Sequence, residues 1–412
     1  MAPVFRTNRD RLWGTLMQVG RIGALPGGGC CRLALTQADG EARRLFTTWC
    51  EEAGCRISFD RVGNIYALRP GSEPDLPAVA TGSHLDTQPH GGKFDGIYGV
   101  MAALEVLRTL NEQRLQTRRS VLAIVWTNEE GVRFSPPLAG SQAFTSRVSA
   151  EAVLESPTRD GSTVRDDLLR LGQLGDEVPG SRRFDSFFEA HIEQGPILEA
   201  DCKTIGVVTH IQGMRAYKVA LVGEDGHAGT VPLERRRDAL LCAAEMIVRL
   251  RQLALEIDPQ TKLTVGRLDV SPNSLSTIPG AVSFTIDLRH PNLETLGTLD
   301  ACLGKELPAL GTRHRVEVDM HRVMESAPVP FDEALVETVQ RCADRLGFSS
   351  KKMLSGAFHD AGFISKVAPT AMIFVPCERG ISHNERENAD PADLAAGTDV
   401  LLGAILERAM VG

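Results

Sequence analysis

Between Thr81 and Gly99 the chain reads Thr-Gly-Ser-His-Leu-Asp-Thr-Gln-Pro-His-Gly-Gly-Lys-Phe-Asp-Gly-Ile-Tyr-Gly. His84, Asp86 and Asp95 stand here among small residues and glycines. Imidazole and carboxylate groups that converge are what a divalent cation of borderline softness binds. The spacing predicts that Asp86 sits behind the His84 imidazole at a strand end and fixes its tautomer. Asp95 returns after the Gly91-Gly92 turn, just before a helix. Taken alone, the stretch reads equally well as a polar turn after a buried strand.

Other residues of the same chemistry follow apolar runs. Val121–Trp126 is a continuous apolar run that leads into Glu129-Glu130. Adjacent carboxylates at a strand end point to opposite sides, so one can bind a cation while its neighbour faces a bound water. Phe187–Gly195 reads as a strand ending in a loop with His191 near its end, and Thr370–Val375 leads to a loop holding His383. Any one of these alone is an ordinary polar loop residue. Together, three histidines with Asp95 and Glu130 match the ligand count of a dinuclear site with one bridging carboxylate.

These residues need a scaffold that aligns strand ends. A helix with Val100, Met101, Leu104, Leu107 and Leu110 on one face separates the His84 strand from the Val121 strand. That order predicts a βαβ unit and a mostly parallel sheet, whose sites form at the carboxyl ends of the strands. Helices are also expected over 9–22, 42–53, 331–346 and 391–410, with mostly helical chain over 149–174. The Pro26-Gly-Gly-Gly29 segment lacks the Gly-Lys-Ser/Thr ending of a phosphate loop and reads as a connector. From Met214 the pattern changes to strand 216–222, helix 234–257, strand 262–268, strand 282–288, helix 293–307 and strand 313–321, the ferredoxin-like βαββαβ order. The expected architecture is α/β, with a discontinuous catalytic domain (1–211 and 326–412) and an inserted domain (212–325).

The 412 residues, 42% hydrophobic and 24% charged, fit a globular chain of two domains. A net charge of -8 without a basic run argues against nucleic acid as a partner. No apolar run approaches a membrane span, and Met1–Asn8 lacks the apolar core of a signal peptide, so a cytoplasmic protein is expected. The nine cysteines are scattered and form no C-x-x-C pair, so metal ligands must be histidines and carboxylates.

With these segments in order, the sequence resembles the aminoacylase-type dinuclear metallohydrolases. More narrowly it is similar to the branch of N-carbamoyl-L-amino acid hydrolases, β-ureidopropionases and allantoate amidohydrolases. The resemblance is carried by Gly82–Thr87, Gly92–Gly99, Thr127–Phe134, Glu189–Gly195, Gly226–Thr230, Pro272-Asn273, Asp287–Arg289, Ser355–Ala361 and Gly380–Glu385. It implies two divalent ions, zinc first, with manganese, cobalt or nickel tolerated. His84, Asp95 and His191 would hold one, and Asp95, Glu130 and His383 the other. Glu129 would be the general base. His227 would stabilise the oxyanion from a partner subunit of a homodimer, the inserted domain serving as dimerisation or lid domain. Gln194, Asn273 and Arg289 would bind the substrate carboxylate. By residue type alone, His227 is an exposed turn histidine and Arg289 a surface arginine.

The implied activity is hydrolysis of the carbamoyl C–N bond of a small ureido acid, an N-carbamoyl-L-amino acid or N-carbamoyl-β-alanine. Allantoate is the alternative substrate. An aminoacylase or peptidase is disfavoured by the 189–195 segment, and a non-catalytic metal scaffold by the intact Glu129-Glu130 pair. Ser146, where a glycine is common, the basic run 235–238 and Asn388-Ala-Asp390 depart from the pattern; none removes a ligand.

Overall fold

The computed structural model describes residues 5–410. The first residues of the Met1–Asn8 segment, expected to carry no signal sequence, lie outside that range. Two compact units divide at 209/210 and 329/330, against 211/212 and 325/326 expected. Among the described residues no helix is long and apolar enough to cross a membrane.

In the first unit the main sheet runs in the order Arg56–Phe59, Ile65–Arg69, Val121–Trp126, Ala78–His84, Phe184–Ile192, Thr370–Val375, Ile205–Ile211. Its centre is parallel: Ala78–His84 lies between Val121–Trp126 and Phe184–Ile192, and Thr370–Val375 follows. Antiparallel strands flank this centre on both sides. His84 pairs with Trp126 and Ile192 with Val375, so the four parallel strands finish level. The loops at 85–95, 127–130, 193–195 and 376–388 therefore leave one edge of the sheet. Every residue of Val121–Trp126 and Thr370–Val375 is buried, as for strands covered on both faces. The covering helices include Ile97–Glu112 and Pro391–Met410.

Local chemistry moves some boundaries. The second helix, Gln37–Glu52, starts earlier than its apolar pattern, because the Thr36 hydroxyl accepts the Asp39 N–H and caps it. The 149–174 stretch folds as two short helices, Ala150–Leu154 and Val164–Leu171, rather than as mostly helical chain. Its Thr163–Asp166 capping box restarts the helix there. The Pro26–Gly29 segment does more than connect. Beyond it, Cys30 and Gly91 exchange backbone hydrogen bonds of 2.9 and 3.1 Å, and Gly27 N–H donates to Glu385.

The second unit is an antiparallel sheet. Gly213–Val222 is central, between Glu317–Ser326 and Ala281–His290, and Lys262–Thr264 and Leu268–Ser271 pair with Ala281–His290. This is the expected ferredoxin-like order with its second strand broken in two. Helices Ala239–Ile257 and Leu293–His314 bury Met246, Leu250, Leu299 and Leu303 against Tyr217, Val219, Phe284 and Ile286. The first of these helices begins at Ala239, not 234, because Asp238 caps it by accepting two N–H groups. The second continues past Pro308 to His314 and ends where Arg315 turns left-handed, φ 59°, which moves the next strand from the expected 313–321 to Glu317–Ser326.

Candidate metal centre

His84 ends its strand and turns its ring toward Asp95. Its Nδ1 donates to the Asp86 carbonyl oxygen at 2.9 Å, leaving Nε2 to face Asp95 Oδ1 at 3.8 Å and Glu129 Oε2 at 3.6 Å. The Asp86 carbonyl thus does the orienting that was expected of its carboxylate, which stands 3.8 Å from Nδ1. That carboxylate is occupied elsewhere: it accepts the N–H groups of Glu129 at 3.2 Å and Glu130 at 3.1 Å. The ring also needs Gly96. A Cβ there would run into the imidazole, and its φ of 68° is left-handed backbone that favours glycine.

His191 is fixed in the same manner, Nδ1 donating to Ile192 O at 2.8 Å and Nε2 standing 3.2 Å from Asp95 Oδ1. On the other side of Asp95, His383 Nε2 lies 3.2 Å from Oδ2 and 3.7 Å from Glu130 Oε2. Glu130 is steadied by Gln88, whose Nε2 donates to Oε2 at 2.6 Å. Gln194, with φ 57°, donates Nε2 to Asp95 Oδ2 at 2.9 Å, and its buried Oε1 has no partner among the described residues. Two groups close enough to hold a cation converge on Asp95: His84–Asp95–His191 and Asp95–Glu130–His383.

The charges fit a cation. Every ion-pair partner of Asp95, Glu129 and Glu130 among the described residues is a histidine. Burial, and then the neighbouring Glu130, push Glu129 well above the carboxylate range. Burial, and then Asp95, push Glu130 up to about 8. Burial works against charge on His191, but its hydrogen bond to Asp95 holds it up at about 9; the same bond raises His383 to about 9. The cluster holds protons at neutral pH that a divalent cation would displace, and the donor set of imidazole nitrogens and carboxylate oxygens suits one.

A third convergent group, Glu189–His191–His359, is a scaffold. Glu189 accepts from Ser83 Oγ and Ala361 N–H, and His359 Nε2 bonds Ser355 Oγ at 2.9 Å. Asp360, on the same loop, is bonded by Ser141. Gln88, which bonds Glu130, and Glu387, which accepts the Phe94 and Asp95 N–H groups, escape sequence reasoning because both contacts join loops distant in the chain; the one cue is a carboxylate four positions beyond His383.

The remaining predicted residues lie in the second unit. His227 is exposed, in a two-residue strand paired with Thr277, and its Nδ1 accepts the Gly229 N–H at 3.0 Å. Asn273 is exposed and left-handed, φ 52°, just past Ser271. Arg289 lies within the 281–290 strand and pairs with Asp287, Nε to Oδ1 at 2.8 Å and an Nη to Oδ2 at 2.9 Å. Ser271 pairs with Ala281 at one end of that strand, and Arg289 with Lys262 near the other. The strand between them spans about 26 Å at ~3.3 Å per residue. One copy of this unit therefore holds Arg289 apart from Asn273. Ser146, where the resemblance leads one to expect glycine, has φ 57°, a left-handed backbone that glycine adopts without strain.

Residues 80–407 match the family model described as Peptidase family M20/M25/M40. The chain is 44% identical over 406 residues to an N-carbamoyl-L-amino-acid amidohydrolase of Rhizobium meliloti, covering 98% of both chains. It is 33% identical over 395 residues to the allantoate amidohydrolase of Escherichia coli K12, covering 95% of this chain and 96% of that one. Among solved structures it is similar to a hydantoinase/carbamoylase family amidase from Burkholderia multivorans, with a TM-score of 0.96 at 44% identity over 99% of this chain and all of that one. With His84, Asp95, Glu130, His191 and His383 gathered at one sheet edge inside the matched segment, the chain belongs to Peptidase family M20/M25/M40.

Proposed function

We propose that this chain is a metal-dependent amidohydrolase that cleaves the carbamoyl C–N bond of N-carbamoyl-L-amino acids. The observation that carries the reading is the sharing of Asp95 between two ligand groups, with Glu129 beside them and outside both. The substrate assignment comes from the Rhizobium meliloti relative, which matches over nearly its whole length. Water adds to the carbamoyl carbon, the C–N bond to the amino acid breaks, and the products are amino acid, carbon dioxide and ammonia. N-carbamoyl-β-alanine offers the same two groups, and allantoate is the second reading, favoured by the Escherichia coli relative.

His84, Asp95 and His191 would hold one divalent ion and Asp95, Glu130 and His383 a second, zinc being our first choice and manganese, cobalt or nickel compatible. Bound there, the ions supply Lewis acidity and lower the pKa of water. With cations beside it to offset the burial and the neighbouring carboxylates that raise its proton affinity, Glu129 is left ionised to take the proton of the attacking water and hand it to the leaving nitrogen. Asp86 keeps Glu129 and Glu130 in place through their main chain. Gln194, Asn273 and Arg289 bind the substrate carboxylate, and the Asp287 pairing presents the guanidinium in a fixed plane. His227 stabilises the oxyanion. The distance between Arg289 and the Asn273 end of the strand exceeds any small ureido acid, which supports a site completed by a second copy of the chain.

The test is incubation of the metal-loaded protein with N-carbamoyl-L-amino acids, N-carbamoyl-β-alanine, allantoate and a dipeptide, measuring ammonia and amine. Ammonia together with amino acid from the N-carbamoyl-L-amino acids is expected. Amine from the dipeptide without ammonia from any ureido acid would overturn the reading.

A further inference from the structure

Glu387 is 2% exposed, yet it lies on the loop that carries His383. Its carboxylate faces inward to the first unit's metal-binding loop. Oε1 accepts the Phe94 N–H at 2.9 Å and the Asp95 N–H at 3.1 Å. Oε2 takes Ser382 Oγ at 2.9 Å, and the same hydroxyl stands 3.2 Å from Asp95 Oδ2. The Glu387 N–H bonds Asn384 O at 3.0 Å, which closes the loop around His383. Gly92 makes room for it: a Cβ on Gly92 would collide with the Glu387 carboxylate. Glu387 is in neither ligand group.

We infer that Glu387 is the positioning residue for the bridging aspartate, one carboxylate that fixes the Asp95 main chain from the His383 loop and so sets the spacing of the two ligand groups. This rests on the metal reading above. Two backbone donors and a hydroxyl converge on Glu387, and no other described acceptor takes the Phe94 and Asp95 N–H groups. Without it two buried N–H groups next to the bridge lose their partner, and Asp95 loses both its main-chain anchor and the fixed hydroxyl at Oδ2. Burying unpaired donors is costly, so the loop would shift rather than hold its place. Glutamine at 387 keeps an oxygen for the two N–H groups, and Ser382 can accept from the amide instead.

The experiment uses the full chain stripped of metal by chelator and titrated with cobalt(II), followed by visible absorption and by competition with a chelator of known affinity. Glu387→Ala is expected to bind cobalt at least tenfold more weakly than the unaltered protein, while Glu387→Gln stays within threefold. Gly92→Ala, which must displace the carboxylate, shares the loss and serves if Glu387→Ala does not fold. Val339→Ala, a core cavity on the Glu333–Leu346 helix, lowers the melting temperature and leaves cobalt affinity unchanged. Unaltered affinity in Glu387→Ala or Gly92→Ala overturns the inference alone, as does a Glu387→Gln loss equal to that of Glu387→Ala. An unaltered protein that takes up no cobalt overturns the metal reading itself.

Discussion

Asp86 and Glu130 are tied side chain to main chain: Asp86 Oδ2 accepts the Glu130 N–H at 3.1 Å, while Oδ1 accepts that of Glu129 at 3.2 Å. A single buried carboxylate thus seats both members of the acidic pair. Hydrogen bonds to a charged group contribute about 1.5–3 kcal/mol each. Asp86→Ala should lower stability by several kcal/mol in a denaturant titration and reduce kcat. Asp86→Asn, which keeps one acceptor oxygen, should lose less of both.

Glu129 stands 3.6 Å from His84 Nε2 and belongs to neither ligand group. Glu129→Gln should therefore keep the metal content, measured by elemental analysis. Its kcat should fall by about 10²–10⁴-fold, the usual contribution of a positioned general base. A variant with near-normal turnover would remove Glu129 from that role.

Gly96→Ala puts a methyl group against the His84 ring and asks alanine to hold φ 68°. Left-handed backbone at a non-glycine residue costs about 1–3 kcal/mol. Reduced stability and weakened metal binding together are the expected outcome. Thermal melts and a metal titration on the same sample read both.

Arg289→Ala should act mainly on KM. Loss of charge-assisted bonds to a carboxylate, about 1.5–3 kcal/mol each, corresponds to at least tenfold in KM for carboxylate substrates. Neutral amide analogues of those substrates should be affected less. An unchanged KM would take Arg289 out of substrate binding.

Metal uptake should be pH-dependent, with a sign fixed by the raised proton affinities. His191 and His383 are held at about 9 and Glu130 at about 8, so each carries a proton near neutrality that the cation must displace. Apparent affinity should therefore climb as pH rises toward 9, with proton release detectable in weakly buffered solution. Stripping the metal should lower the melting temperature, because binding to the folded state adds to stability.

Much of the candidate centre was legible because the residues that converge there follow apolar runs that can only be buried strands, and strands of a parallel sheet finish at one edge. His84, Glu130, His191 and His383 were found in this way, and Asp95 from its place before a helix. What escaped was the direction of short-range bonds. Spacing puts Asp86 near His84 but cannot tell whether carbonyl or carboxylate faces the ring. Glu387 and Gln88 act across loops, so no periodicity betrays them. Helix starts at 37 and 239 were displaced because caps at Thr36 and Asp238 outweigh the apolar pattern. Arg289, Asn273 and His227 could be assigned only through the resemblance, since an arginine in a strand or a histidine in a turn carries no chemistry by itself.

The first unit leaves off at Thr209 and resumes at Pro330, and the Phe331 N–H bonds Thr209 O at 3.0 Å. The two cut ends therefore touch. Held together while residues 210–329 are unfolded, they would cost about 4 kcal/mol in closure entropy. A chain in which a short glycine turn replaces that whole stretch should still collect all five metal-binding side chains. Such a shortened protein would sequester cations yet leave ureido acids uncleaved.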